Sequence, residues 1–236
     1  MTTVTIRTYT SVLLGAVCLS LLAQNARSQD YPPAFPREGA RQVFDNMWIT
    51  AWDDTWIPDK PTPMHRHVYD YFGWEFTDSK TDSVSPEGDT RSVSTSRGLA
   101  WFLSKGVTHV EIGRSSNPPR HAILVELKDA GSPYYRNTTT FPTAFPSDGD
   151  RQIVDNQRVT MWERTWMPGQ PASPRYFERN VVMIFANAGD LRLGAPGEQP
   201  HVSSFAEGAV LFLAGGGARA IEATNIAVRT LLVELK

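Results

Sequence analysis

YPPAFPREGARQVFDN, Tyr31–Asn46, returns 110 residues later as FPTAFPSDGDRQIVDN, Phe141–Asn156, with about half of the positions identical. The match runs on through Trp52 and Trp162, Thr55-Trp56 and Thr165-Trp166, then Pro58 and Pro168. It resumes at Gly98-Leu99-Ala100-Trp101-Phe102-Leu103 against Gly208-Ala209-Val210-Leu211-Phe212-Leu213, and both copies close on Val-Glu-Leu-Lys, at 125–128 and 233–236. A fixed period of this length marks a duplicated structural unit. The chain therefore divides into a first unit at 31–128, a linker at 129–140 and a second unit at 141–236.

Upstream of the first unit, Arg7 precedes the apolar run Ser11–Ala23, and Ala26-Arg27-Ser28 places small residues where a signal peptidase cuts. Residues 1–28 are expected to be a cleaved signal peptide, so the mature protein is expected in the periplasm or secreted. Cleavage removes Cys18, the only cysteine, and leaves 21 basic against 25 acidic residues, a net charge of −4. A thiol-free chain passes through an oxidising compartment unchanged. The full chain has a net charge of −2 and a pI near 6.2, which offers no basic footprint for nucleic acid. No run of about 18 apolar residues predicts a membrane span once the leader is gone.

Each unit reads as β. Apolar runs are short and rich in β-branched and aromatic residues (Val43–Trp52, Trp101–Leu103, Ala122–Leu127), with Pro and Gly breaking them up. Thr77–Gly98 is a polar tract that reads as a long loop or hairpin with little core. Many short strands per hundred residues predict a sandwich or a closed barrel, and two such barrels packed together cover each other's exposed edges.

Three histidines carry the chemistry. His65 and His67 flank Arg66, and residues i and i+2 of a strand point to one face. His109 follows 42 residues after His67, and a third imidazole returning on a later strand can complete a metal site with open positions. His121 and His201 read as surface residues. Trp52, Trp56, Trp162 and Trp166 recur in both units and read as shared core. Trp48, Trp74 and Trp101 belong to the first unit alone, where core packing and a pocket wall are both open to them.

These two segments resemble the paired motifs of the cupin superfamily. The first motif sets a glycine six residues before H-x-H, where this chain has Asp59 and its second unit Gly169. The second, G-x5-P-x-G-x2-H-x3-N, finds Gly98, Gly106 and His109 in register, with Ser104 in place of the proline and Gly113 in place of the asparagine. The resemblance covers nearly the whole mature chain and implies an all-β protein of two tandem jelly-roll barrels, a bicupin. It implies one divalent ion (Fe, Mn, Zn or Ni) on His65, His67 and His109. The carboxylate that the family places four residues after the second histidine is Tyr71 here. Tyr71 shares the parity of His67, and is expected to ligate, to hydrogen-bond a bound molecule or to fill space. Asp70 faces the other way, and Glu75, though inward in parity, lies too far along the strand to ligate.

The second unit replaces the ligand set: His65 aligns with Arg175, His67 with Phe177, Tyr71 with Val181 and His109 with Arg219. A guanidinium has no lone pair for a metal, so this unit is expected to be metal-free. It is read either as a structural partner or as a site where Arg175 and Arg219 hold a carboxylate or phosphate. Three neutral imidazoles leave a dication its full charge, which favours an anionic oxygen ligand. The expected function is a metal-dependent enzyme of dioxygenase, lyase or isomerase type acting on a small anionic or enolisable molecule, as a monomer or homodimer. A non-catalytic binding or sensor bicupin is the alternative, and a structural storage protein is the third reading.

Overall fold

A computed structural model describes residues 30–114, 118–170 and 173–236, and the expected leader lies outside them. No described residue is helical. The first unit contains β1 (Ala40–Asp45), β2 (Ile49–Thr55), β3 (His65–Arg66), β4 (Asp70–Glu75), β5 (Ser79–Val84), β6 (Thr90–Thr95), β7 (Ala100–Leu103), β8 (Thr108–Gly113) and β9 (His121–Leu127). The second repeats the series as β10 (Arg151–Asp155), β11 (Val159–Trp166), β12 (Arg175–Phe177), β13 (Val181–Phe185), β14 (Gly189–Gly194), β15 (His201–Phe205), β16 (Val210–Leu213), β17 (Gly217–Ala223) and β18 (Val228–Leu235).

Strand order repeats as faithfully as the sequence. A five-stranded sheet β1-β2-β9-β4-β7 faces a four-stranded sheet β3-β8-β5-β6, and the second unit forms β10-β11-β18-β13-β16 and β12-β17-β14-β15. Every pairing between these strands is antiparallel, and equivalent residues pair in both units: Tyr71 with Glu126 and Val181 with Glu234, Thr81 with Gly113 and Leu191 with Ala223. Each unit is thus a two-sheet jelly roll. The motif glycines Gly98 and Gly208 both turn the chain at positive φ (82° and 79°), a conformation that strains any residue with a Cβ.

The five-stranded sheets pack back to back. Ile49, Ala51, Phe72, Trp74, Ile123 and Val125 of the first share one core with Val159, Met161, Val182, Ile184, Leu231 and Val233 of the second. Trp48 stacks on Phe212 at 5.4 Å across the same seam, and the Arg229 guanidinium lies 5.2 Å from the Trp74 ring centroid. Burying both faces explains why β4 and β9 read as continuous apolar runs and not as alternation. Alternate residues of these strands (Trp52, Asp54, Tyr71, Glu75, Leu124) turn into their own barrel.

The two barrels are filled differently. Phe177, Val181, Met183, Phe185, Leu191 and Ile221 form part of an apolar core in the second. At the same register positions the first barrel holds His67, Tyr71, Gly73, Glu75, Thr81 and Glu111. One fold has been kept solid in one copy and given a polar interior in the other. Thr77–Gly98 forms the β5–β6 hairpin and is less peripheral than its composition suggested. Ser79, Thr81, Asp82 and Thr95 are all buried.

Candidate metal centre

His65 on β3 sits directly opposite His109 on β8 in the antiparallel register. His67 lies just past β3, tied to the start of β8 by backbone hydrogen bonds between His67 and Val107 and between Gly106 and His67. This pairing brings three rings together that are 2%, 3% and 8% exposed for His65, His67 and His109. One nitrogen from each lies within 4.8 Å of the others, and the Nε2 atoms of His67 and His109 are 3.2 Å apart.

The donor set fits a divalent cation. Two ligands each about 2.0–2.1 Å from one ion and side by side in its coordination sphere stand roughly 3–3.4 Å apart, which matches the His67–His109 separation. His65 donates its Nδ1 proton to the Pro63 carbonyl at 2.9 Å, so Nε2 carries the lone pair, and that atom is buried with no partner. His109 Nδ1 meets Ser83 Oγ at 2.9 Å, leaving its Nε2 toward the cluster. Outer hydrogen bonds of this kind fix the tautomer a metal needs. Burial disfavours the imidazolium form, pushing His65 down to about 4 and His67 to about 3, with His109 lowered for the same reason. All three rings are therefore neutral and ready to ligate at neutral pH.

Tyr71 stacks flat on His67, with centroids 3.9 Å apart and planes 2° from parallel. Stacked rings keep roughly 3.5 Å between planes, so a cation bound by His67 in its ring plane would leave the phenol oxygen beyond ligating distance. Burial, reinforced by the Glu111 charge, raises the Tyr71 hydroxyl above its ordinary range, which keeps it a donor. Asp70 faces away, accepting from the Lys105 amide and pairing with Arg158. Glu75 is fully buried but outside the histidine cluster.

His67, Tyr71 and His109 line a cavity of about 400 Å³, walled by Trp56, Trp101, Leu124 and the hairpin residues Arg91, Val93 and Thr95. Of the three tryptophans that have no counterpart in the second unit, Trp101 lines it, while Trp48 and Trp74 serve the seam between barrels. Trp56, read as core, is also cavity wall. His121, read as surface, is half-buried and bonded to Asp53 at 2.7 Å.

Beside the histidines lies a charge network that sequence reasoning missed. Glu111 bonds Arg37 at 2.8 Å and lies 3.6 Å from Arg120; Arg37 pairs with Asp54, and Arg120 with Glu75 at 2.6 Å. Arg120 also lies 3.8 Å over the Trp56 ring. Burial alone raises the Glu111 carboxyl, but Arg37 and Arg120 reverse that and hold it well below the usual range. The available signal was the difference between repeats. Glu75, Glu111 and Arg120 stand where the second unit has Phe185, Ile221 and Val228.

Several solved structures share this architecture across most of the chain. An oxalate decarboxylase from Lactobacillus farciminis in a formate complex superposes with a TM-score of 0.61 at 11% identity, covering 86% of this chain and 83% of that one. The fold is a bicupin fold. A Bacillus subtilis oxalate decarboxylase with Mn(II) centres gives a TM-score of 0.56 at 8% identity, over 86% and 76% of the two chains. A cupin 2 conserved barrel domain protein from Leptotrichia buccalis gives 0.53 at 12%, over 84% and 88%. No protein-family model matches the sequence, and no curated protein does.

In the second barrel of this bicupin, Arg175 on β12 pairs with Arg219 on β17, in the register that joins His65 to His109.

Proposed function

We propose that the first barrel binds one divalent metal ion through His65, His67 and His109, and that the protein is an exported metalloenzyme acting on a small anionic or enolisable organic molecule. The observation that carries this reading is the buried, neutral imidazole triad, of which His67 and His109 line a cavity, with the Nδ1 atoms of His65 and His109 already engaged. The surrounding charges agree with it. Two guanidiniums face three carboxyls (Asp54, Glu75, Glu111), so an added cation meets no surplus of positive charge.

A divalent ion at such a site supplies Lewis-acid or redox chemistry at its remaining open positions. The chain's own residues orient the ligand. Tyr71, stacked on His67 and facing the cavity, donates a hydrogen bond from its hydroxyl to an anionic oxygen of the ligand. Trp56 and Trp101 offer flat apolar walls to the ligand's body, and Arg120 is fixed by Glu75 against one of them. A metal held there would open oxygen uptake, elimination and decarboxylation to an anionic ligand. The oxalate decarboxylase neighbours make carbon dioxide release the first reaction to assay, and manganese the first metal.

Resin-stripped protein reloaded with Mn, Fe, Zn or Ni is expected to hold about one equivalent per chain, lost in His65→Ala and His109→Ala. Loaded protein is then screened for carbon dioxide release and oxygen uptake with small keto acids, dicarboxylates and catechols. A Tyr71→Phe chain should keep its metal, since the stack survives, and lose turnover by roughly a hundredfold. Folded protein that takes up no metal sinks the reading. Tight ligand binding without product identifies the sensor alternative.

A further inference from the structure

The second barrel carries its own unexplained feature. Arg175 and Arg219 face each other directly across β12 and β17. Like charges in that position repel, and the pair is destabilising unless something anionic lies between or beside them. Neither makes an ion pair among the described residues. Arg175 donates to the Thr143 carbonyl at 3.1 Å and Arg219 to the Ala214 carbonyl at 2.7 Å, which leaves most of their donors unused. By contrast, Arg164 nearby is fully engaged by Asp150 at 2.5 and 2.7 Å.

Both guanidiniums line a cavity of about 290 Å³ at the mouth of this barrel. Its lining mixes apolar residues (Phe177, Trp166, Ile221, Ala223) with polar ones (Ser147, Thr165, Gln170, Ser173). The Arg219 guanidinium lies 5.7 Å from the Phe177 ring centroid; burial lowers its affinity for its proton, and the Glu198 charge only partly offsets this. Two carboxylates also border the cavity. Glu222 is already paired with Arg192 at 2.5 Å, and Asp148 is exposed at the rim.

We propose that Arg175 and Arg219 form an anion site in the second barrel that binds a small organic carboxylate, its charged end on the guanidiniums and its apolar body on Phe177 and Trp166. The planar forks of two arginines match a carboxylate's two oxygens, and Phe177 and Trp166 beside them suit its apolar body. The duplication thus holds two sites at one register position, the second reading charge with arginine. This assignment does not depend on metal in the first barrel.

Calorimetric titration of the resin-stripped full chain with benzoate tests it, since stripping removes metal from the first barrel as a competing anchor. The expected result is one equivalent bound by wild type, with affinity falling about tenfold or more in both Arg175→Met and Arg219→Met. Thermal melts give a second readout. Each variant should melt at or above wild type without ligand, because a repelling charge is gone, and benzoate should raise the melting temperature of wild type alone. Equal benzoate affinity in wild type and both variants overturns the proposal, as does no binding in wild type. Inorganic phosphate binding in preference to benzoate overturns the carboxylate assignment.

Discussion

Arg120 grips Glu75 at 2.6 Å deep in the first barrel, and the second barrel has Val228 and Phe185 at those two positions. Both partners are almost wholly buried. Removing one end of a buried pair strands the other charge, at a cost of about 3–5 kcal/mol, whereas replacing both with packed apolar groups is often neutral. Glu75→Gln should therefore destabilise in urea unfolding by less than that full amount, because Glu111, 3.6 Å from Arg120, still partners it. The double change Glu75→Phe with Arg120→Val, copying the second barrel, should recover most of the loss. A double variant as unstable as the single one would show that the pair's packing, not its charge, holds the site.

The same comparison explains what could be read beforehand. The duplication and the short β-strands follow from periodicity and composition around Tyr31–Asn46, while the jelly-roll barrels and the histidine triad are what the resemblance of His65–His67 and Gly98–His109 to the cupin motifs implies. The charge network does not. Arg37, Asp54, Glu75, Glu111 and Arg120 come from separate segments, and each alone looks like an ordinary charged residue. Their pairing depends on which strands meet across the barrel. Trp56 and Trp101 likewise gain their role as cavity walls from strand order, and the two Trp residues at the seam lose it the same way.

Ser83 orients His109 through the 2.9 Å contact to Nδ1, and the second barrel has Leu193 there. Ser83→Ala removes no ligand and little volume. Metal affinity, measured by competition with a chromophoric chelator, should fall about 10–100-fold while the melting temperature of stripped protein barely moves. Unchanged affinity would mean that strand register alone sets the ring.

The depressed imidazole pKa values set a pH dependence of definite sign. Below about pH 6.5 the unfolded chain protonates His65 and His67, while the native rings stay neutral until about pH 4 and about pH 3. The unfolded state thus binds more protons, and the stability of stripped protein falls as pH drops from about 6.5 toward 4. Melts at pH 7 and pH 5, above the range of unfolded carboxyls, should show this loss in wild type and a smaller one in His67→Phe. Bound metal should survive dialysis at pH 5, where free imidazole is mostly protonated. Identical melting shifts in wild type and His67→Phe would remove the histidines as the cause.

Gly73 shapes the cavity by having no side chain. It lies inward on β4 between Tyr71 and Glu75, and a Cβ there would meet Trp101 Cε2 at 2.7 Å and Leu124 Cδ2 at 2.9 Å. The second barrel places Met183 at this position and Leu211 where Trp101 stands, filling the same space from the other strand. Trp101 is free to lie against β4 and to donate from Nε1 to Glu75 at 2.9 Å only because residue 73 is glycine. Gly73→Ala should push the indole toward the cavity, break that bond and cost about 1–3 kcal/mol through overpacking. The readouts are a shift in tryptophan emission, a lower urea midpoint and weaker binding of ligands in the first barrel, with metal content unchanged because no histidine touches residue 73. A variant with native emission and native ligand affinity would show that the wall yields elsewhere and that Trp101 does not set the size of the cavity.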